Sequence, residues 1–324
     1  MNACVRPAPC ADPALGRFAA DVREGLGRRP KSLPPAHLYD ALGSALFEAI
    51  TQLPEYGVWR AERRILERCA AEVAARCPAT RVVELGSGSA TKTRLLLAAL
   101  LRHAAPTYCA IDVSRAALES TRAALHDLDG LSVHLVEADY AAGFAHAAAA
   151  RGDADRVLVL FLGGSLGNFA PAAALELLGR IRRGLRPGDA LLVGADLYKP
   201  AQQLIAAYDD PLGVTAAFDL NLLVRMNREL GADFRLERFR HRARFDARSR
   251  DVEMHLESLC RQEVRFARLD FAVAFEAGET IHTESSHKYR EAELDMLAAA
   301  AGFRRSAAWR DEAWPFVDAL YLAA

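Results

Sequence analysis

The sequence predicts an α/β protein in which a doubly wound parallel sheet is joined to a second, smaller α+β domain. First, residues 81–196 alternate short β-branched apolar runs with segments whose apolar residues recur at helical spacing. Second, polar and apolar residues alternate in the strand-like runs between residues 200 and 290, as in strands with one solvated face. Third, 324 residues are enough for two domains that share a core. The strand–helix alternation implies right-handed crossovers in the first region.

Five short apolar runs are the predicted parallel strands, because continuous apolar runs are typical of strands buried on both faces. They are RVVEL (81–85), TYCAID (107–112), LSVHLVEA (131–138), RVLVLFLG (156–163) and ALLVGAD (190–196). The predicted helices between them are TKTRLLLAALLR (91–102), SRAALESTRAALHDL (114–128) and PAAALELLGRIRRGL (171–185). Thr91 and Ser114 are predicted to cap the first two helices, since their hydroxyls can accept from backbone N–H groups.

The chain changes character after residue 200. AQQLIAAYDD (201–210) and VTAAFDLNLLVRMNREL (214–230) are predicted helices, and RFRHRARFD (238–246) and DVEMHLESLCRQEVRF (251–266) are a predicted antiparallel pair. One face of the second strand would carry Met254, Leu256, Ser258 and Cys260. The C-terminal stretch 292–323 predicts a helix and one or two strands that return to the first sheet.

Composition and charge exclude several classes of function. Hydrophobic residues make up 52% of the chain, charged residues 26%, and the formal net charge is −1, so nothing favours nucleic acid or an anionic membrane as a partner. No apolar run is long enough for a transmembrane helix, and the N-terminal MNACVRPAPCADPALGR lacks the apolar core of a signal peptide. We therefore expect a cytoplasmic monomer that acts on a small molecule.

Neither cysteine nor histidine spacing indicates a special site. The six cysteines form no CxxC pair, which predicts free thiols in a reducing compartment; they are Cys4, Cys10, Cys69, Cys77, Cys109 and Cys260. The nine histidines show neither HxH nor HxxxH spacing, so we expect no metal site.

A glycine-rich turn follows the first predicted strand, in VVELGSGSATKTR (82–94). A Walker A loop needs a second glycine directly before its lysine, and Lys92 has none, which disfavours a nucleoside triphosphate. A dinucleotide site has the pattern GxGxxG. Here Gly86 and Gly88 are present, but Thr91 takes the place of the third glycine, which weakens the case for NAD.

Acidic residues at the ends of three strands favour S-adenosylmethionine instead. Glu84 would repel a pyrophosphate above the turn and suits the amino group of the methionine portion. Asp112 ends the second strand, where an acid can hold both ribose hydroxyls, and Asp139 and Tyr140 follow the third strand, where such sites hold adenine. A turn like that in LRPGDALLVGAD (185–196) precedes the fifth strand of many methyltransferases. The alternative, that Asp112 and Asp139 are ordinary strand-end acids, stays open.

Seven stretches between Pro30 and the C-terminus are together far more specific than a glycine loop. They are PKSLPPAHLYDALGSALFEAITQLPEY, ELGSGSATKTR, FLGGSLGNF, LIAAYDDPLGVTAAFDLNLL, NRELGADF, VEMHLES and TESSHKYR. In them the chain resembles the histidine Nα-methyltransferases of ergothioneine biosynthesis. The resemblance implies a Rossmann-like class I methyltransferase core in residues 61–196 and 287–324, which binds S-adenosylmethionine. It also implies a substrate-binding domain in residues 1–60 and 197–286.

The resemblance further implies a role for each site residue. The cofactor-binding residues are Glu84, Gly86, Gly88, Lys92, Asp112, Asp139 and Tyr140. Of these, Glu84 and Gly88 are predicted from the chemistry of the glycine loop, and the other five are implied by the resemblance. The substrate-binding residues are Tyr56, Asn168, Tyr208, Met254, Glu284 and Ser286. Within this set Glu284 and Ser286 hold the imidazole, and Met254 lines the side-chain pocket. Tyr39 lies near the substrate amine and, with Asn168, completes the catalytic set.

Those residue types suit histidine and its methylation. Tyrosine hydroxyls can donate to a carboxylate without adding charge, and the amide of Asn168 can orient the amine. A carboxylate with a hydroxyl, as in Glu284 and Ser286, matches an imidazole and should reject an isosteric apolar side chain by ~10⁴. Transfer is an in-line displacement that needs a neutral amine behind the methyl carbon, at roughly 3–3.5 Å. Tyr39, or water beside it, is the predicted route for the departing proton, and three transfers would give the trimethylated betaine hercynine.

Two departures from the family pattern leave alternatives. Gly57, Val58 and Trp59 follow LPEY where members often carry a second tyrosine and a proline, and SATKTR replaces a commoner threonine-serine-glutamate loop. The acceptor could therefore be a tryptophan-like amino acid or a modified histidine. A cofactor-binding homologue without activity is the alternative from a different class, and an NAD-dependent oxidoreductase is a more distant one.

Overall fold

The structure is a computed structural model and describes residues 13–324. Its α-helices are α1 Pro13–Gly27, α2 Ala41–Gln52, α3 Val58–Arg76, α4 Thr93–Leu100, α5 Arg115–Leu125, α6 Tyr140–Ala149, α7 Pro171–Arg183, α8 Ala201–Tyr208, α9 Val214–Leu230 and α10 Glu291–Ala300. Its strands are β1 Lys31–Ser32, β2 Arg81–Leu85, β3 Thr107–Asp112, β4 Ser132–Glu137, β5 Val157–Phe161, β6 Ala190–Asp196, β7 Phe239–Asp246, β8 Asp251–Ser258, β9 Gln262–Phe266, β10 Phe271–Phe275, β11 Thr280–His287, β12 Phe303–Asp311 and β13 Phe316–Ala323.

The chain divides into two compact units. The larger, called the sheet unit here, comprises residues 48–207, 245–252 and 285–324. The smaller unit comprises residues 13–47, 208–244 and 253–284 over its described part. The predicted domains differ from these limits in the segments 48–60, 197–207, 245–252 and 285–286. Their division into substrate and cofactor domains by function stays a prediction.

A seven-stranded sheet of order β12-β13-β6-β5-β2-β3-β4 forms the centre of the sheet unit. The five strands from β6 to β4 are parallel, and β13 is antiparallel to both β6 and β12. The predicted α/β class and all five predicted parallel strands are confirmed, and the C-terminal segment rejoins the sheet as predicted. Strands β3 and β4 lie on one side of β2, and β5 and β6 lie on its other side, so the order of strands switches between β2 and β5. Ligands of open α/β sheets bind beyond the carboxyl ends of the strands at such a switch point.

The central strands are apolar because both of their faces are covered. Every residue of β5 and β6 is buried, and the helices α3, α4, α6 and α7 present buried aliphatic side chains within the same unit. Strand β4 stands at the edge of the sheet, and none of its residues is fully buried, so the prediction that it is buried on both faces was wrong for this strand. The parallel arrangement places the carboxyl ends of β2, β3, β4 and β5 along one edge, where the glycine turn and the strand-end acids lie.

Three local predictions can be compared with the structure, and two of them need correction. Ser114 caps α5 as predicted, accepting from the Ala117 N–H at 3.3 Å. Thr91 does not cap α4: the residue before that helix is Lys92, in helical conformation and without a side-chain cap, because the preceding positive-φ turn leads directly into the helix. The strand predicted over residues 251–266 is two strands, β8 and β9, and Cys260 lies in the bend between them rather than on the face of Met254.

The smaller unit is built on aromatic packing and short strands. Strands β9 and β10 form an antiparallel hairpin, with Val264 opposite Val273. Rings of Phe234, Phe239 and Phe275 meet edge to face at centroid distances between 5.4 and 6.2 Å. A four-stranded sheet has the order β1-β11-β8-β7, in which β1 is parallel to β11. The structure therefore confirms that β7 and β8 are neighbouring strands, as predicted.

Within residues 13–324, no helix is long and apolar enough to cross a bilayer, and no group of His, Cys, Asp and Glu side chains is suited to a metal ion. Cys69, Cys77, Cys109 and Cys260 are free thiols, as predicted. Cys4, Cys10 and the N-terminal stretch assessed for a signal peptide lie outside the described residues.

Candidate active site

The turn between β2 and α4 adopts a conformation that requires its glycines. Gly86 and Gly88 have φ of +77° and +53°, a region that L side chains rarely adopt. A Cβ at Gly86 would also lie 3.0 Å from the Tyr140 hydroxyl. The N–H groups of Gly86 and Ser87 both donate to the Ile111 carbonyl, at 2.8 and 3.2 Å, so the turn is anchored to β3. The turn is thus tight, and at Gly86 it lies directly against Tyr140, whereas the space beside Gly88 is open.

Asp112 ties the end of β3 to this turn. Its carboxylate accepts from the Gly88 N–H at 3.1 Å and from the Ser114 N–H at 2.9 Å. Thr121 donates to the Gly88 carbonyl at 2.8 Å and holds the other side of the same residue. Burial raises the pKa of Asp112, although these backbone hydrogen bonds work against the rise. A carboxylate offers about four lone-pair sites, so this one can accept from ligand hydroxyls as well.

Asp139 and Tyr140 stand at the start of α6, directly after β4. Asp139 caps the helix by accepting from the Ala142 N–H at 2.8 Å, which is the ordinary strand-end role left open by the sequence. The Tyr140 ring packs edge to face on Phe161 at 5.2 Å and tilts against Phe169 at 6.0 Å. An aromatic wall of this kind, next to Gly86, is a suitable surface for a flat ring such as adenine.

Glu84 lies beneath the turn rather than on it. Its side chain is buried, and its oxygens accept from Thr93 Oγ1 at 2.7 Å and from the Tyr108 hydroxyl. Burial raises the pKa of Glu84 to about 7, against the opposing effect of those two donors. Contact between this carboxylate and a cofactor amine stays a prediction; what the structure gives it is a supporting position between β2, β3 and α4.

Lys92 pairs with a residue that the sequence did not single out. Its ammonium group contacts the fully buried carboxylate of Glu62 on α3. The other oxygen of Glu62 accepts from the Gly163 N–H at 2.7 Å, just after β5. Asp318 lies beside it, and burial raises the pKa of that acid well above its usual range. Glu62 therefore connects the glycine turn to the loop that carries Asn168; its position inside helix α3 gave no signal in the sequence.

Asn168 ends a short 3₁₀ helix, Ser165–Asn168, that follows β5. The end of β11 runs directly against it: a Cβ at Gly167 would lie 2.7 Å from the His287 carbonyl oxygen. Tyr289 donates to the Leu166 carbonyl at 3.5 Å, from the same segment. Only glycine at 167 permits this approach, which brings the backbones next to Asn168 and Ser286 together.

Ser286 lies beside a buried group of charges in the sheet unit. Lys288 Nζ donates to Ser286 Oγ at 2.8 Å and is 3.0 Å from a carboxylate oxygen of Asp196, the last residue of β6. Lys199 pairs with the same carboxylate, and Trp314 donates its indole N–H to it at 2.9 Å. Burial raises the pKa of Asp196, but the two ammonium groups outweigh it and hold that pKa below its usual value. No sequence pattern predicted this arrangement.

Tyr56 lies in the turn between α2 and α3, where it is buried. The next residue, Gly57, faces Trp314 so closely that a Cβ there would lie 2.2 Å from the indole ring. A cavity of about 420 Å³ opens at this point, lined by Pro54, Glu55, Gly57, Arg60, Arg64, Gln203, Ala206, Ala313 and Trp314. The departure from the family pattern at Gly57 is thus matched by a tryptophan that fills the space above it.

The remaining predicted residues belong to the smaller unit. The Tyr39 ring packs edge to face on Phe47 and Phe218, at 5.5 and 5.4 Å. Tyr208 is buried at the end of α8, and its carbonyl accepts from His241 at 2.8 Å. Within this unit, Met254 on β8 and Glu284 on β11 are also buried.

Comparison with known proteins gives a consistent result along almost the whole chain. The model of a family described as histidine-specific, S-adenosylmethionine-dependent methyltransferases matches residues 18–323. The chain is 44% identical over 298 residues to the histidine N-alpha-methyltransferase of Mycobacterium tuberculosis, covering 91% of this chain and 92% of that protein. It is 32% identical to ergothioneine biosynthesis protein 1 of Neurospora crassa, covering 86% of this chain and 32% of that protein. It is 28% identical to the L-tryptophan methyltransferase of Psilocybe serbica, covering 90% and 89%.

Proposed function

This chain belongs to the family of histidine-specific, S-adenosylmethionine-dependent methyltransferases, and we propose that it methylates the α-amine of L-histidine three times. The product is the betaine hercynine, which serves ergothioneine biosynthesis. The observation that carries the proposal is the match to this family over residues 18–323 together with the presence of every acceptor-site residue that the family motifs imply.

The cofactor site fits S-adenosylmethionine, which supplies an electrophilic methyl group when bound. The glycine turn has the positive φ angles that let a ligand approach its backbone, and no Cβ fills the space in front of Tyr140. Asp112 would hold the ribose hydroxyls, and Asp139 with Tyr140 would hold the adenine. Glu84 and Lys92 would keep the turn in place through Thr93 and Glu62, respectively.

The acceptor site is proposed to bind histidine as a zwitterion. Tyr56 and Tyr208 would donate to its carboxylate, and Asn168 would orient its amine. Glu284 and Ser286 alternate on β11 and so share one face of that strand, where they would hold the imidazole. Met254 would shape the pocket around the ring. Residues 1–60 and 197–286 would make up the substrate-binding domain, and residues 61–196 and 287–324 the cofactor-binding domain.

The experiment that tests the function is mass spectrometry of the product formed by purified protein, S-adenosylmethionine and each of the twenty amino acids in turn. We expect a gain of three methyl groups on histidine alone, with little mono- or dimethylhistidine at any time. Accumulation of a partly methylated end product would contradict processive trimethylation. Methylation of a different amino acid would leave the fold and cofactor intact and move the question of specificity to Gly57–Trp59.

A second acceptor, tryptophan or a related amino acid, is favoured by one observation, the similarity to an L-tryptophan methyltransferase. Against it stand Glu284 and Ser286, because a carboxylate and a hydroxyl suit an imidazole with two nitrogens better than an indole with a single N–H. The same panel of twenty amino acids separates the two acceptors. Absence of any turnover, with S-adenosylhomocysteine still bound, would indicate a non-catalytic homologue or a modified acceptor.

Tyr39 is proposed to pass on the proton that the α-amine loses before each transfer. Tyr39→Phe keeps the packing against Phe47 and Phe218 and removes only the hydroxyl. We expect kcat to fall about 10²-fold and the pH–rate profile to change, the usual size of a proton-transfer contribution. Tyr198→Phe, which removes a hydroxyl from an exposed tyrosine, is the control. An unchanged profile in Tyr39→Phe would remove this role from Tyr39.

The state in which the enzyme works is also part of the proposal. We expect a monomer in the cytoplasm, where free thiols such as Cys69 and Cys109 persist. Light scattering with and without both substrates measures the molecular mass, and a dimer under either condition would contradict the monomer.

A further inference from the structure

The buried histidine His241, on β7 of the smaller unit, has a hydrogen-bond partner at each of its two ring nitrogens. Its Nδ1 lies 2.7 Å from a carboxylate oxygen of Asp219 on α9, and its Nε2 lies 2.8 Å from the carbonyl oxygen of Tyr208. The side chains of His241 and Asp219 are almost wholly shielded from solvent. The proposed function uses the Tyr208 side chain and gives no role to the other two residues.

The chemistry of the two partners fixes the protonation of the His241 ring. A carbonyl oxygen and an ionised carboxylate can only accept hydrogen bonds, and each imidazole nitrogen carries either one proton or one lone pair. A neutral imidazole has a single N–H, so one of its nitrogens would turn a lone pair toward an acceptor. Both contacts are therefore hydrogen bonds when both ring nitrogens are protonated, that is, when His241 is an imidazolium.

The buried charge of Asp219 favours the imidazolium. Among the described residues, the other oxygen of Asp219 has no hydrogen-bond partner, so His241 supplies the charge that pairs this carboxylate. Burial lowers the pKa of His241, but the hydrogen bond to Asp219 and its charge, together with the Tyr208 carbonyl, outweigh burial and raise that pKa above its usual value. In His37, a buried histidine of the same unit that pairs with Asp21, burial outweighs the carboxylate and lowers the pKa.

The backbone at Tyr208 is attached to α9 through this histidine. Tyr208 is the last residue of α8, and the last carbonyl groups of a helix have no partner within the helix. Two residues further on, Asp210 accepts from two backbone N–H groups in the first turn of α9, at 2.7 and 3.1 Å. Asp219 stands on the same helix. Helix α9 therefore holds the segment 208–210 at two points, directly at Asp210 and by way of His241 at Tyr208.

We propose that His241 is a positioning residue for the acceptor: as an imidazolium it joins the Tyr208 carbonyl to Asp219 and so holds the Tyr208 side chain in place for the carboxylate of L-histidine. This inference rests on the proposed function, which gives Tyr208 that contact. A hydrogen bond to a charged partner is the stronger kind, so a neutral His241 would keep its remaining proton toward Asp219 and release the Tyr208 carbonyl. Binding of the acceptor therefore weakens when the ring loses its proton.

The charged groups that neighbour His241 along the chain do not replace this link. Arg240 and Arg242 precede and follow it on β7, so their side chains point to the opposite face of the strand, where both donate to Glu257. The charge of Asp209, after α8, acts on the ring and also favours its protonated form. The two arginines are thus compensated by a carboxylate on their own face.

A further histidine close to Asp219 titrates at lower pH. His282 on β11 meets His255 on β8 edge to face, with ring centroids 5.2 Å apart. Burial and the charge of His255 lower the pKa of His282, against the opposing charge of Asp219. The ring of His282 is therefore already neutral in the range of pH in which His241 loses its proton.

His241→Gln tests the link itself. Glutamine cannot donate to two acceptors on opposite sides of a ring, so the Tyr208 carbonyl loses this donor at every pH. We expect the KM for L-histidine to rise about tenfold at pH 7, the size of one hydrogen bond to a charged group. We expect kcat to change less than twofold, because a contact that is equal in the ground state and the transition state affects KM alone. The Kd for S-adenosylhomocysteine should stay the same.

Asp219→Asn keeps the link and removes the charge. The asparagine amide can donate to Nδ1, so a neutral His241 would keep its Nε2 proton on the Tyr208 carbonyl. We expect the KM of this variant to equal that of wild type at pH 6.5 and to be several-fold lower than that of wild type at pH 9. Titration of L-histidine itself cancels when the two enzymes are compared at the same pH.

His37→Gln is the matched control, because His37 is also buried, paired with a carboxylate and part of the smaller unit. Its KM should equal that of wild type at both pH values. An unchanged KM in His241→Gln, or a ratio of wild type to Asp219→Asn that is the same at pH 6.5 and pH 9, would overturn the inference. An equal rise of KM in His241→Gln and His37→Gln would reveal a general effect on the unit and would overturn it as well. A wild type that does not methylate L-histidine at any pH would instead overturn the proposed function.

Nuclear magnetic resonance tests the charge of His241 without any acceptor. Wild-type protein labelled with ¹⁵N in its histidine rings and saturated with S-adenosylhomocysteine reports the protonation of each ring nitrogen at pH 7. The His241 signals are identified by their loss in His241→Gln or, if that variant does not fold, by their shift in Asp219→Asn. We expect two protonated nitrogens in His241 and one in His37. A bare Nδ1 or Nε2 in His241 at this pH would overturn the proposal.

Discussion

Among single residues, the buried acids differ most in the charge they carry. Asp196 is held ionised by two lysines, whereas burial raises the pKa of Glu84 to about 7 and that of Asp318 well above its usual range. The difference lies in the partners, since Glu84 accepts from two neutral hydroxyls rather than from ammonium groups. Burial therefore raises the pKa of the carboxylate under the glycine turn, whereas two lysines lower the pKa of Asp196.

Glu84→Gln should change the pH dependence of stability. In wild type, the folded state keeps a proton on Glu84 that the unfolded chain has already released between pH 4.5 and 7. Stability therefore falls as pH rises through this window, by up to about 3 kcal/mol, and is unaffected by this group below it. The glutamine side chain does not ionise, so we expect the variant to gain stability relative to wild type at pH 8 compared with pH 5. Denaturant unfolding at both pH values measures this.

The exposed Glu67→Gln, on α3 of the same unit, gives the baseline for that comparison. A free energy of unfolding that differs between Glu84→Gln and wild type by the same amount at pH 5 and pH 8 would mean that Glu84 is ionised throughout. Its pairing with Thr93 and Tyr108 would then have to outweigh its burial.

The residues that the sequence could not supply are those whose meaning depends on distant partners. Lys288 stands inside the quoted motif TESSHKYR, yet it forms an ion pair with Asp196, which is far away in sequence. Glu62 also depends on distant partners, because Lys92 lies in the turn after β2 and Gly163 lies in the loop after β5. Ser286 and Asn168 were identified through the resemblance to the family.

At the level of elements, the parallel strands were predictable because burial on both faces leaves a continuous apolar run. Helix α6 was not predicted: YAAGFAHAAA is alanine-rich, with no polar face to set against an apolar one, and the signal that was present is the Asp139 cap before it. The break between β8 and β9 was missed because the pattern that predicts a strand does not stop where the strand ends. The alternation in residues 251–266 continues across Cys260, although the chain bends there.

The turn between α2 and α3 shows how one element compensates another. The family pattern places a bulky residue after LPEY, whereas Gly57 stands here, and Trp314 from the segment before β13 occupies the space directly over it. The same indole donates to Asp196, the carboxylate that holds Lys288. The replacement of a bulky residue by Gly57 is therefore connected with the position of Ser286 through Trp314, Asp196 and Lys288.

For the molecule as a whole, ligand binding and folding are linked most directly in the sheet unit. All the predicted cofactor residues lie in residues 48–207 of that unit. The same segment contains three contacts that hold the glycine turn: Asp112 with Gly88, Glu62 with Lys92, and Tyr140 with Gly86. The three tryptophans, Trp59, Trp309 and Trp314, belong to the same unit. Tryptophan fluorescence thus follows the unfolding of this unit without a contribution from the other.

S-adenosylhomocysteine should raise the melting temperature of this unit, and NAD should not. A ligand at 100 times its Kd stabilises the state that binds it by about 2.7 kcal/mol, which corresponds to a rise of about 5–10 °C for a unit of this size. Asp112→Asn keeps the shape of the side chain and loses the charge proposed for the ribose hydroxyls, so most of the rise should disappear. Asp153→Asn, at a fully exposed side chain of the same unit, should keep it. A rise with NAD that matches the rise with S-adenosylhomocysteine would mean that Thr91, in place of the third glycine, does not exclude a dinucleotide from this turn.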